Sequence, residues 1–250
     1  MEIVLTIAGS DPSGGAGIQQ DLKVITAHGC YGATVITALT SQNTLGVQSS
    51  MPVPSDVVAS QLHSVLSDLQ VSAIKIGMIT NKAVAEVIVQ ALQDVHIPII
   101  YDPVMISTSG YQLMSSDAIA YIAQHLFPLC TLVTPNLPEA ERLQAQLAYP
   151  QTAFLIKGGH AHSTLMTDRL IMPDGTIREF STEKIPTHNL HGTGCTLSSA
   201  IAAHLALGHP LAEAVRLAKT YITEAIRTGS TYRIGKGHGP VCHFWNWWGR

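Results

Sequence analysis

Short apolar runs of strand length alternate along the chain with segments of helical spacing, and this alternation constrains the fold more than any other feature. Most of the runs are rich in valine and isoleucine and apolar at successive positions, which is typical of strands buried on both faces. They lie at Ile3–Ala8, Ala33–Leu39, Ala73–Met78, Ile97–Pro103, Thr131–Pro135 and Ala153–Lys157. The alternation predicts right-handed βαβ crossovers, and therefore an α/β fold with a doubly wound, mostly parallel sheet and helices on both faces.

Segments with helical spacing lie between these runs and after the last of them. The predicted helices are Ile18–His28, Asp56–Leu69, Lys82–Val95, Ser116–Phe127, Pro138–Leu147, Thr193–Leu207 and Leu211–Thr228. Residues of capping type precede several helices, namely Ser55 or Asp56, Asn81, and Ser115 or Ser116. A small β-meander is predicted at Asp168–Phe180. Because the 250 residues are 46% hydrophobic and contain no linker or repeat, we expect one domain spanning residues 1–250.

Composition excludes several classes of partner. A formal charge of -3 with only 12% charged residues provides no basic field for a nucleic-acid backbone. No stretch approaches the roughly 20 apolar residues of a membrane-spanning helix, and the first apolar run lacks the basic region of a signal peptide. The cysteines form no CxxC pair and are expected to be reduced thiols: Cys30, Cys130, Cys195 and Cys242. We therefore expect a cytoplasmic protein without a nucleic-acid or membrane partner.

The first strand runs into a glycine-rich segment, Gly9–Gly17, which precedes the first helix. Ligands of doubly wound sheets bind beyond the carboxyl ends of the strands, and four glycines in nine residues let the backbone approach a ligand closely. The spacing does not match GxGxxG, and no acidic residue ends the second strand, which disfavours a dehydrogenase. A glycine-rich turn without a ligand is the alternative.

The most informative segment is His191-Gly192-Thr193-Gly194-Cys195, which opens a helix rich in alanine and leucine. Glycines at a helix start expose unpaired backbone N–H groups, and the helix dipole adds positive potential there. Such donors stabilise the negative charge on a phosphoryl group during transfer. Gly192, Thr193 and Gly194 are therefore predicted catalytic residues, with a tight turn as the alternative.

Three further strand ends carry polar residues suited to a nucleotide and its metal ion. Carboxylate and amide oxygens suit Mg2+, so Asp102, Asn136 and Glu139 are predicted to hold it, mostly through water. Lys157 and Gly158, with Asn136 and Asp102, are predicted to contact ATP. A helix cap is the alternative for Asn136 and a turn residue for Asp102. Because GxxxxGK[ST] is absent, the phosphate site must be assembled from several strand ends.

Seven motifs in this order resemble the hydroxymethylpyrimidine and hydroxymethylpyrimidine-phosphate kinases of the ribokinase superfamily. They are AGSDPSGGAGIQQDLK, TALTSQNT, KIGM, PNLPEAE, KGGH, HGTGC and the closing GKGHGP..HF, and together they span nearly the whole chain. The resemblance implies a ribokinase-like fold and two successive phosphoryl transfers from MgATP at one site in thiamine biosynthesis. The first acceptor would be the 5-hydroxymethyl group of 4-amino-5-hydroxymethyl-2-methylpyrimidine, and the second its monophosphate.

The resemblance also assigns residues to the acceptor. It implies that Gln42 hydrogen-bonds the pyrimidine edge, for which its amide has both a donor and an acceptor. It implies that four residues shape the pocket: Gly9, Ala16, Met78 and Val104. It also favours a homodimer and leaves open whether K+ assists. Thr44–Val53 is the candidate segment for closing over the pyrimidine.

Cys195 occupies the position of the aspartate that acts as general base in sugar kinases of the superfamily. A thiol at a helix N-terminus can have its pKa lowered, so the resemblance implies that Cys195 is the base in this subgroup. The alternative is that the thiol only packs against the substrate. Phosphoryl transfer through a loose transition state needs little help from a general base, so the reaction could proceed without one.

The chain departs from the family pattern in the connection between the PNLPEAE and KGGH motifs. Only Glu139 to Phe154 separates two motifs that the family usually joins by a two-helix connection, so one crossover helix is predicted.

The histidines His160, His162, His188 and His191 have no carboxylates at metal-ligand spacing, so no metal site is predicted there. The terminal Phe244–Trp248 cluster is predicted to be a packed tail or a subunit contact. Pyridoxine kinase activity, alone or alongside the main one, is the alternative function, and a binding or regulatory protein is the alternative class.

Overall fold

A single nine-stranded sheet organises the protein. The computed structural model describes residues 1–105, 113–143, 151–158 and 164–248. The strands are β1 (Ile3–Ser10), β2 (Tyr31–Asn43), β3 (Gly46–Pro52), β4 (Ala73–Ile76), β5 (Ile99–Tyr101), β6 (Leu132–Val133), β7 (Ala153–Ile156), β8 (Leu165–Ile171) and β9 (Ile177–Glu183). Their order is β3-β2-β1-β4-β5-β6-β7-β8-β9. Pairing is parallel from β2 to β7 and antiparallel for β3, β8 and β9, which confirms the mostly parallel, doubly wound prediction.

Helices cover both faces of this sheet. They are α1 (Gly17–Ala27), α2 (Ser55–Leu66), α3 (Lys82–Leu92), α4 (Ser116–His125), α5 (Leu137–Arg142), α6 (Thr193–Ala206), α7 (Leu211–Gly229) and α8 (Trp245–Trp248), with a short 3-10 turn at Phe127–Leu129. Two separate apolar clusters form the core. Helices α2, α3 and α4 pack on one face, where Leu5 and Ile7 of β1 point. Helices α1, α6 and α7 pack on the other face, which receives Val4 of β1.

Strand β3 lies where the sequence predicts a closing segment. Residues 46–52 of the predicted segment Thr44–Val53 pair antiparallel with a β2 that continues to Asn43, beyond the predicted end at Leu39. The alternation of apolar and polar residues is weak in β3, because most of its side chains are exposed or half-buried on both faces of this edge strand. The predicted meander is confirmed as β8 and β9.

The helix boundaries agree with the predictions to within a few residues, but the caps do so only in part. Asn81 caps α3, with its side-chain oxygen accepting the Val84 N–H at 3.0 Å. The predicted cap of α2 by Ser55 or Asp56 is wrong, because Pro54 occupies the N-cap position and no side chain caps the helix. Helix α5 ends at Arg142, and residues 144–147 of the predicted helix Pro138–Leu147 lie outside the described residues.

The topology brings the carboxyl ends of β1, β2, β4, β5, β6 and β7 to one edge of the sheet. Helix α6 begins at the same edge, since its first turn borders the cleft described below. Within the described ranges, no helix combines the length and the apolar character needed to cross a membrane.

Candidate active site

A cleft of about 760 Å³ opens at the carboxyl edge of the sheet. All but one of the predicted site residues line it, and they come from six strand ends and the start of α6. They are Gly9, Ala16, Gln42, Met78, Asp102, Val104, Asn136, Glu139, Lys157, Gly192, Thr193, Gly194 and Cys195. The structure therefore brings the predicted acceptor, nucleotide and metal residues into one cavity.

The two glycine motifs pack directly against each other. Gly192 is the N-cap of α6 with φ at +78°, a left-handed conformation that favours glycine. A Cβ on Gly192 would lie 1.9 Å from the Gly15 carbonyl oxygen, and a Cβ on Gly15 would lie 2.3 Å from the His191 ring. Only glycines at these positions let the first-strand loop touch the start of α6.

The start of α6 has the geometry of an anion site. Thr196 N–H donates to the Gly192 carbonyl at 2.8 Å, which places Gly194 and Cys195 in the first turn, where amides have no partner inside the helix. A Cβ on Gly194 would lie 3.3 Å from Lys157 Nζ and 3.4 Å from Asp102 Oδ2. The free amides therefore lie beside the ion pair that follows β5 and β7.

Lys157 and Asp102 form this ion pair, with Nζ 2.6 Å from Oδ1. Thr134 Oγ1 also donates to Asp102 Oδ1 at 3.0 Å. Burial raises the pKa of the Asp102 carboxyl, but the ammonium groups of Lys157 and Lys75 outweigh it and hold that pKa below its usual value. For Lys157, burial lowers the pKa, but Asp102 and Glu139 outweigh it, so the ammonium stays charged.

Asn136 and Glu139 form a capping box at the start of α5. The Glu139 N–H donates to Asn136 Oδ1 at 2.9 Å, and the Asn136 N–H donates to Glu139 Oε2 at 2.8 Å. The alternative interpretation of Asn136 as a helix cap is thus confirmed. Burial raises the pKa of Glu139 to about 7; Lys157 lowers it and Asp102 raises it further.

Asp102, Asn136 and Glu139 provide carboxylate and amide oxygens of the kind that Mg2+ prefers. Within the described ranges, no group of three or more His, Cys, Asp and Glu side chains could hold a metal ion by itself. Asp102 and Glu139 nevertheless line one cleft. Burial is the main cause that raises the pKa of Glu139, and the Asp102 carboxylate raises it further, both of which a bound cation would oppose. The residues therefore fit an Mg2+ that arrives with a nucleotide and keeps most of its water ligands.

The acceptor end of the cleft contains an aspartate and histidine pair that sequence reasoning missed. Asp11 Oδ2 lies 2.8 Å from His191 Nε2, and it also accepts the Ala16 N–H at 2.9 Å. The Gln42 amide nitrogen lies 3.2 Å from the same ring nitrogen. Burial raises the pKa of Asp11, but hydrogen bonds from His191 and Ser13 outweigh it, so that this pKa is lowered.

Lys75 and Asp21 form a second buried ion pair at the floor of the cleft. Both side chains have no solvent exposure, and Lys75 Nζ lies 2.8 Å from Asp21 Oδ2. Asp21 also accepts hydrogen bonds from Thr6 at 2.6 Å and Ser199 at 2.8 Å. Burial lowers the pKa of Lys75, but Asp21, Cys195 and Asp102 outweigh it and keep the ammonium charged. A lysine inside the apolar run Ala73–Met78 was the available sequence signal.

Cys195 does not have the lowered pKa expected of a thiol at a helix start. Burial raises its pKa to about 11, although the Lys75 ammonium and the Gly17 amide oppose the shift. Asp21 and Asp102 raise the pKa further. The expectation of a lowered pKa is therefore wrong for the unliganded site, because burial and two carboxylates outweigh the helix start.

Gly158 is the one predicted site residue that does not line the cleft. Its N–H donates to Asp168 Oδ1 at 2.9 Å, and a Cβ would lie 1.9 Å from the Thr167 carbonyl oxygen. Asp168 is bound on its other oxygen by Lys219 of α7 at 2.7 Å. Gly158 thus allows β7 to pack closely on β8, while Gly159 and His160 lie outside the described residues.

The known proteins to which the chain is similar are kinases. A family model described as phosphomethylpyrimidine kinase matches residues 11–242. The chain is 45% identical to a hydroxymethylpyrimidine/phosphomethylpyrimidine kinase of Rhizobium meliloti, with 98% of each chain covered. It is similar to the crystal structure of phosphomethylpyrimidine kinase from Clostridium difficile 630, with a TM-score of 0.78, 39% identity, and 90% of this chain and 100% of that one covered. An ADP complex of Bacillus subtilis pyridoxal kinase gives a TM-score of 0.88 at 30% identity, with 97% of each chain covered.

Proposed function

Because the chain belongs to the phosphomethylpyrimidine kinase family, we propose that its cleft runs two successive phosphoryl transfers from ATP. The first acceptor is the hydroxymethyl group of 4-amino-5-hydroxymethyl-2-methylpyrimidine, and the second is the resulting monophosphate. The observation that carries this proposal is the contact between the glycine-rich loop after β1 and the start of α6. It puts the acceptor pocket and an anion site in one cavity.

The acceptor lies at the end of the cleft formed by β1, β2 and β4. Gln42 hydrogen-bonds the pyrimidine edge, and Met78 and Val104 border the ring. A side chain at Gly9 would press on Met78, because a Cβ would lie 3.0 Å from the Met78 sulfur. This arrangement leaves the hydroxymethyl group free to point toward α6.

The nucleotide lies at the other end, where β6, β7, β8 and α7 meet. Apolar side chains suited to an adenine ring line this end, namely Ile185, Pro186, Ile222 and Ile226. Lys157 reaches the phosphates beside the Gly194 amide, and Asp102, Asn136 and Glu139 hold Mg2+ mostly through water. An Mg2+ held by these residues would neutralise charge on the transferring phosphate, and the proposal makes no assignment for K+.

The transfer itself depends on the first turn of α6. The amides of Gly194 and Cys195 stabilise the charge on the migrating phosphoryl group, while Gly192 and Thr193 set the turn. Cys195 takes the hydroxyl proton during the first transfer when it is in its thiolate form, which its raised pKa of about 11 makes a minor form at neutral pH. The second acceptor is already ionised, so that transfer needs no base.

Pyridoxine kinase activity is the second candidate function. The similarity of the fold to a pyridoxal kinase, with a TM-score of 0.88, favours it. The family and the 45% identity to a hydroxymethylpyrimidine/phosphomethylpyrimidine kinase favour the first candidate. A binding or regulatory protein is disfavoured because Lys157, Asn136, Glu139 and the glycine turn are all in the cleft.

An ADP-release assay separates these functions. The wild-type protein is given MgATP with the hydroxymethylpyrimidine, its monophosphate and pyridoxine, each at the same subsaturating concentration. We expect kcat/KM for the first two to exceed that for pyridoxine at least tenfold. A preference for pyridoxine would favour the second function, and no ADP with any acceptor would favour a binding protein.

Exposed apolar side chains lie at the β2–β3 edge of the sheet. We propose a homodimer that uses the β2–β3 edge, where Leu39 and Met51 face each other in register and are 44% and 58% exposed. A cytoplasmic location follows from the nature of the substrates and from the cysteines, none of which is in a disulfide in the structure.

A further inference from the structure

The two proposed acceptors differ in charge, and one pocket must accept both. The alcohol is neutral, whereas its monophosphate carries nearly two negative charges at neutral pH. A pocket that suits both needs a side chain whose charge can follow that of the acceptor. Histidine is the side chain that changes charge most readily near neutral pH.

His191 lies at the junction between the acceptor pocket and the anion site. Its ring lines the cleft, with the side chain 12% exposed, and it precedes Gly192 at the start of α6. The Gln42 amide lies 3.2 Å from Nε2 on one side. The ring also covers Gly15 so closely that a Cβ there would lie 2.3 Å from it. A phosphate on the acceptor would have to pass beside this ring to reach α6.

Asp11 fixes the ring by one nitrogen. Its Oδ2 lies 2.8 Å from His191 Nε2, and its remaining bonds to Ser13 and Ala16 hold the carboxylate in the glycine-rich loop. In the part of the chain that the structure describes, both polar neighbours of the ring lie at Nε2, which can donate to the Asp11 carboxylate or accept from the Gln42 amide but not both at once. Nδ1 is therefore the nitrogen left for a ligand. Because an adjacent carboxylate stabilises the imidazolium, protonation would turn Nδ1 into a second donor.

The lysines beneath the turn are already engaged. Lys75 Nζ lies 2.8 Å from Asp21, and Lys157 Nζ lies 2.6 Å from Asp102. Lys23 of α1 approaches Asp11 from below, but its ammonium is bound to the Gly14 carbonyl at 2.6 Å. Arg142, Lys184, Lys219 and His238 also line the cleft, but His191 is the titratable group that directly precedes Gly192 at the start of α6.

We propose that His191, held by Asp11, binds the phosphate of the monophosphate acceptor through Nδ1 and so determines the ability of the site to run the second transfer. This inference rests on the proposed function. The neutral alcohol offers the ring no charge to bind. The imidazolium form of the ring would donate its Nδ1–H to a phosphate oxygen of the monophosphate while its Nε2–H stays on Asp11.

The test compares His191→Asn with the wild type for both acceptors at saturating MgATP. Asparagine keeps a polar group near Asp11 but cannot become a cation. We expect kcat/KM for the monophosphate to fall at least thirtyfold, and kcat/KM for the alcohol to change by less than fivefold. His63→Asn, which replaces an exposed histidine of α2, serves as the control and should leave both values unchanged.

Equal losses with both acceptors would overturn the proposal, since His191 would then only hold the loop in place. A larger loss with the alcohol would also overturn it and would point to a base. If the wild type phosphorylates neither acceptor, the proposed function fails instead.

A measurement on the wild type covers the case in which His191→Asn does not fold. The Kd of the monophosphate is measured between pH 7 and 9, where its phosphate stays almost fully ionised, with the alcohol as reference. We expect the Kd of the monophosphate to rise at least tenfold over this range while that of the alcohol stays constant. A ratio of the two constants that does not change with pH would contradict the proposal.

Discussion

The thiol of Cys195 lies where the acceptor pocket meets the amides of α6, but it is protonated at neutral pH because its pKa is raised to about 11. If it accepts the hydroxyl proton, the first transfer should accelerate as pH rises through 8 and 9. We expect Cys195→Ala to lower kcat with the alcohol at least tenfold and to remove this pH dependence. The monophosphate should be affected less than threefold, because its acceptor oxygen is already ionised. Initial rates with both acceptors from pH 6.5 to 9.5 provide the check, and near-normal turnover of the alcohol would rule out an essential base.

The Glu139 carboxyl couples the stability of the protein to pH. Its pKa is about 7 in the folded protein against an ordinary value of 4.5, so between these values the folded state holds a proton that the unfolded chain has released. The free energy of unfolding therefore falls as pH rises across this window. Glutamine keeps an oxygen for the Asn136 N–H but cannot ionise. We expect the stability of Glu139→Gln relative to wild type to increase by up to about 3 kcal/mol from pH 4.5 to 7 and then level off.

Urea unfolding at several pH values, without nucleotide or metal, measures this difference. A difference that is constant with pH would mean that Glu139 is ionised throughout and that the cleft is more hydrated than its burial indicates.

Sequence reasoning located single site residues well where a motif follows a strand directly. Asp102 and Lys157 fall into this class and line the cleft, whereas Gln42 lies inside β2 and was assigned by the family resemblance. It missed the pairing of His191 with Asp11, because the partners are 180 residues apart and only the sheet topology joins them. It also misjudged the pKa of Cys195, since the carboxylates that raise it, Asp21 and Asp102, come from other elements.

At the scale of elements, the tip of the β2–β3 hairpin is fastened to the loop at residues 235–238. Thr44 Oγ1 accepts the N–H groups of Lys236 and Gly237, both at 3.1 Å, and the Thr44 carbonyl accepts the His238 N–H at 2.8 Å. Thr44 and His238 both line the acceptor end of the cleft. This contact, which we call the latch, holds the hairpin beside the pocket.

A matched pair of glycines tests the latch. Gly235 and Gly208 both have left-handed φ values, +77° and +85°, so alanine should cost each about 1 kcal/mol of stability. At Gly235 the new Cβ would also lie 2.2 Å from Thr44 Oγ1, whereas at Gly208 nothing lies within 4 Å. We expect Gly235→Ala to raise KM for the acceptor at least fivefold, with KM for ATP unchanged. Gly208→Ala should leave both constants unchanged, and equal kinetic effects in the two variants would show that the latch does not act on the pocket.

Elements were predictable where burial imposes a clear pattern. Strands β1, β4 and β5 are buried on both faces and read as continuous apolar runs. Strand β3 has most of its side chains exposed or half-buried, and it is stabilised by pairing with β2, so its own sequence carries little signal. Short-range sequence patterns predict strands and helices whose side chains are buried. An edge strand is instead stabilised by hydrogen bonding to the neighbouring strand, which leaves no such pattern in its own sequence.

At the scale of the whole molecule, the two edges of the sheet differ in their proposed roles. Strand β3 forms one edge and exposes Met51, whereas β9 forms the other and exposes Ile177 to 50%. If the β2–β3 edge is the dimer interface, Met51→Lys should place like charges across it and yield a monomer. Ile177→Lys, a substitution of similar exposure on the opposite edge, should leave the mass unchanged. Sedimentation velocity at micromolar concentration distinguishes the two, and a wild-type monomer would contradict the proposed homodimer.

The whole account depends on one spatial relation, in which the pocket after β1 and β2 presents an alcohol to the amides at the start of α6. A crystal structure with the hydroxymethylpyrimidine and a nonhydrolysable ATP analogue tests it most directly. We predict that the pyrimidine edge is hydrogen-bonded to Gln42, with the hydroxymethyl oxygen and the terminal phosphate meeting at the amides of Gly194 and Cys195. A pyrimidine bound away from Gln42, or a terminal phosphate that does not reach this turn, would contradict the account.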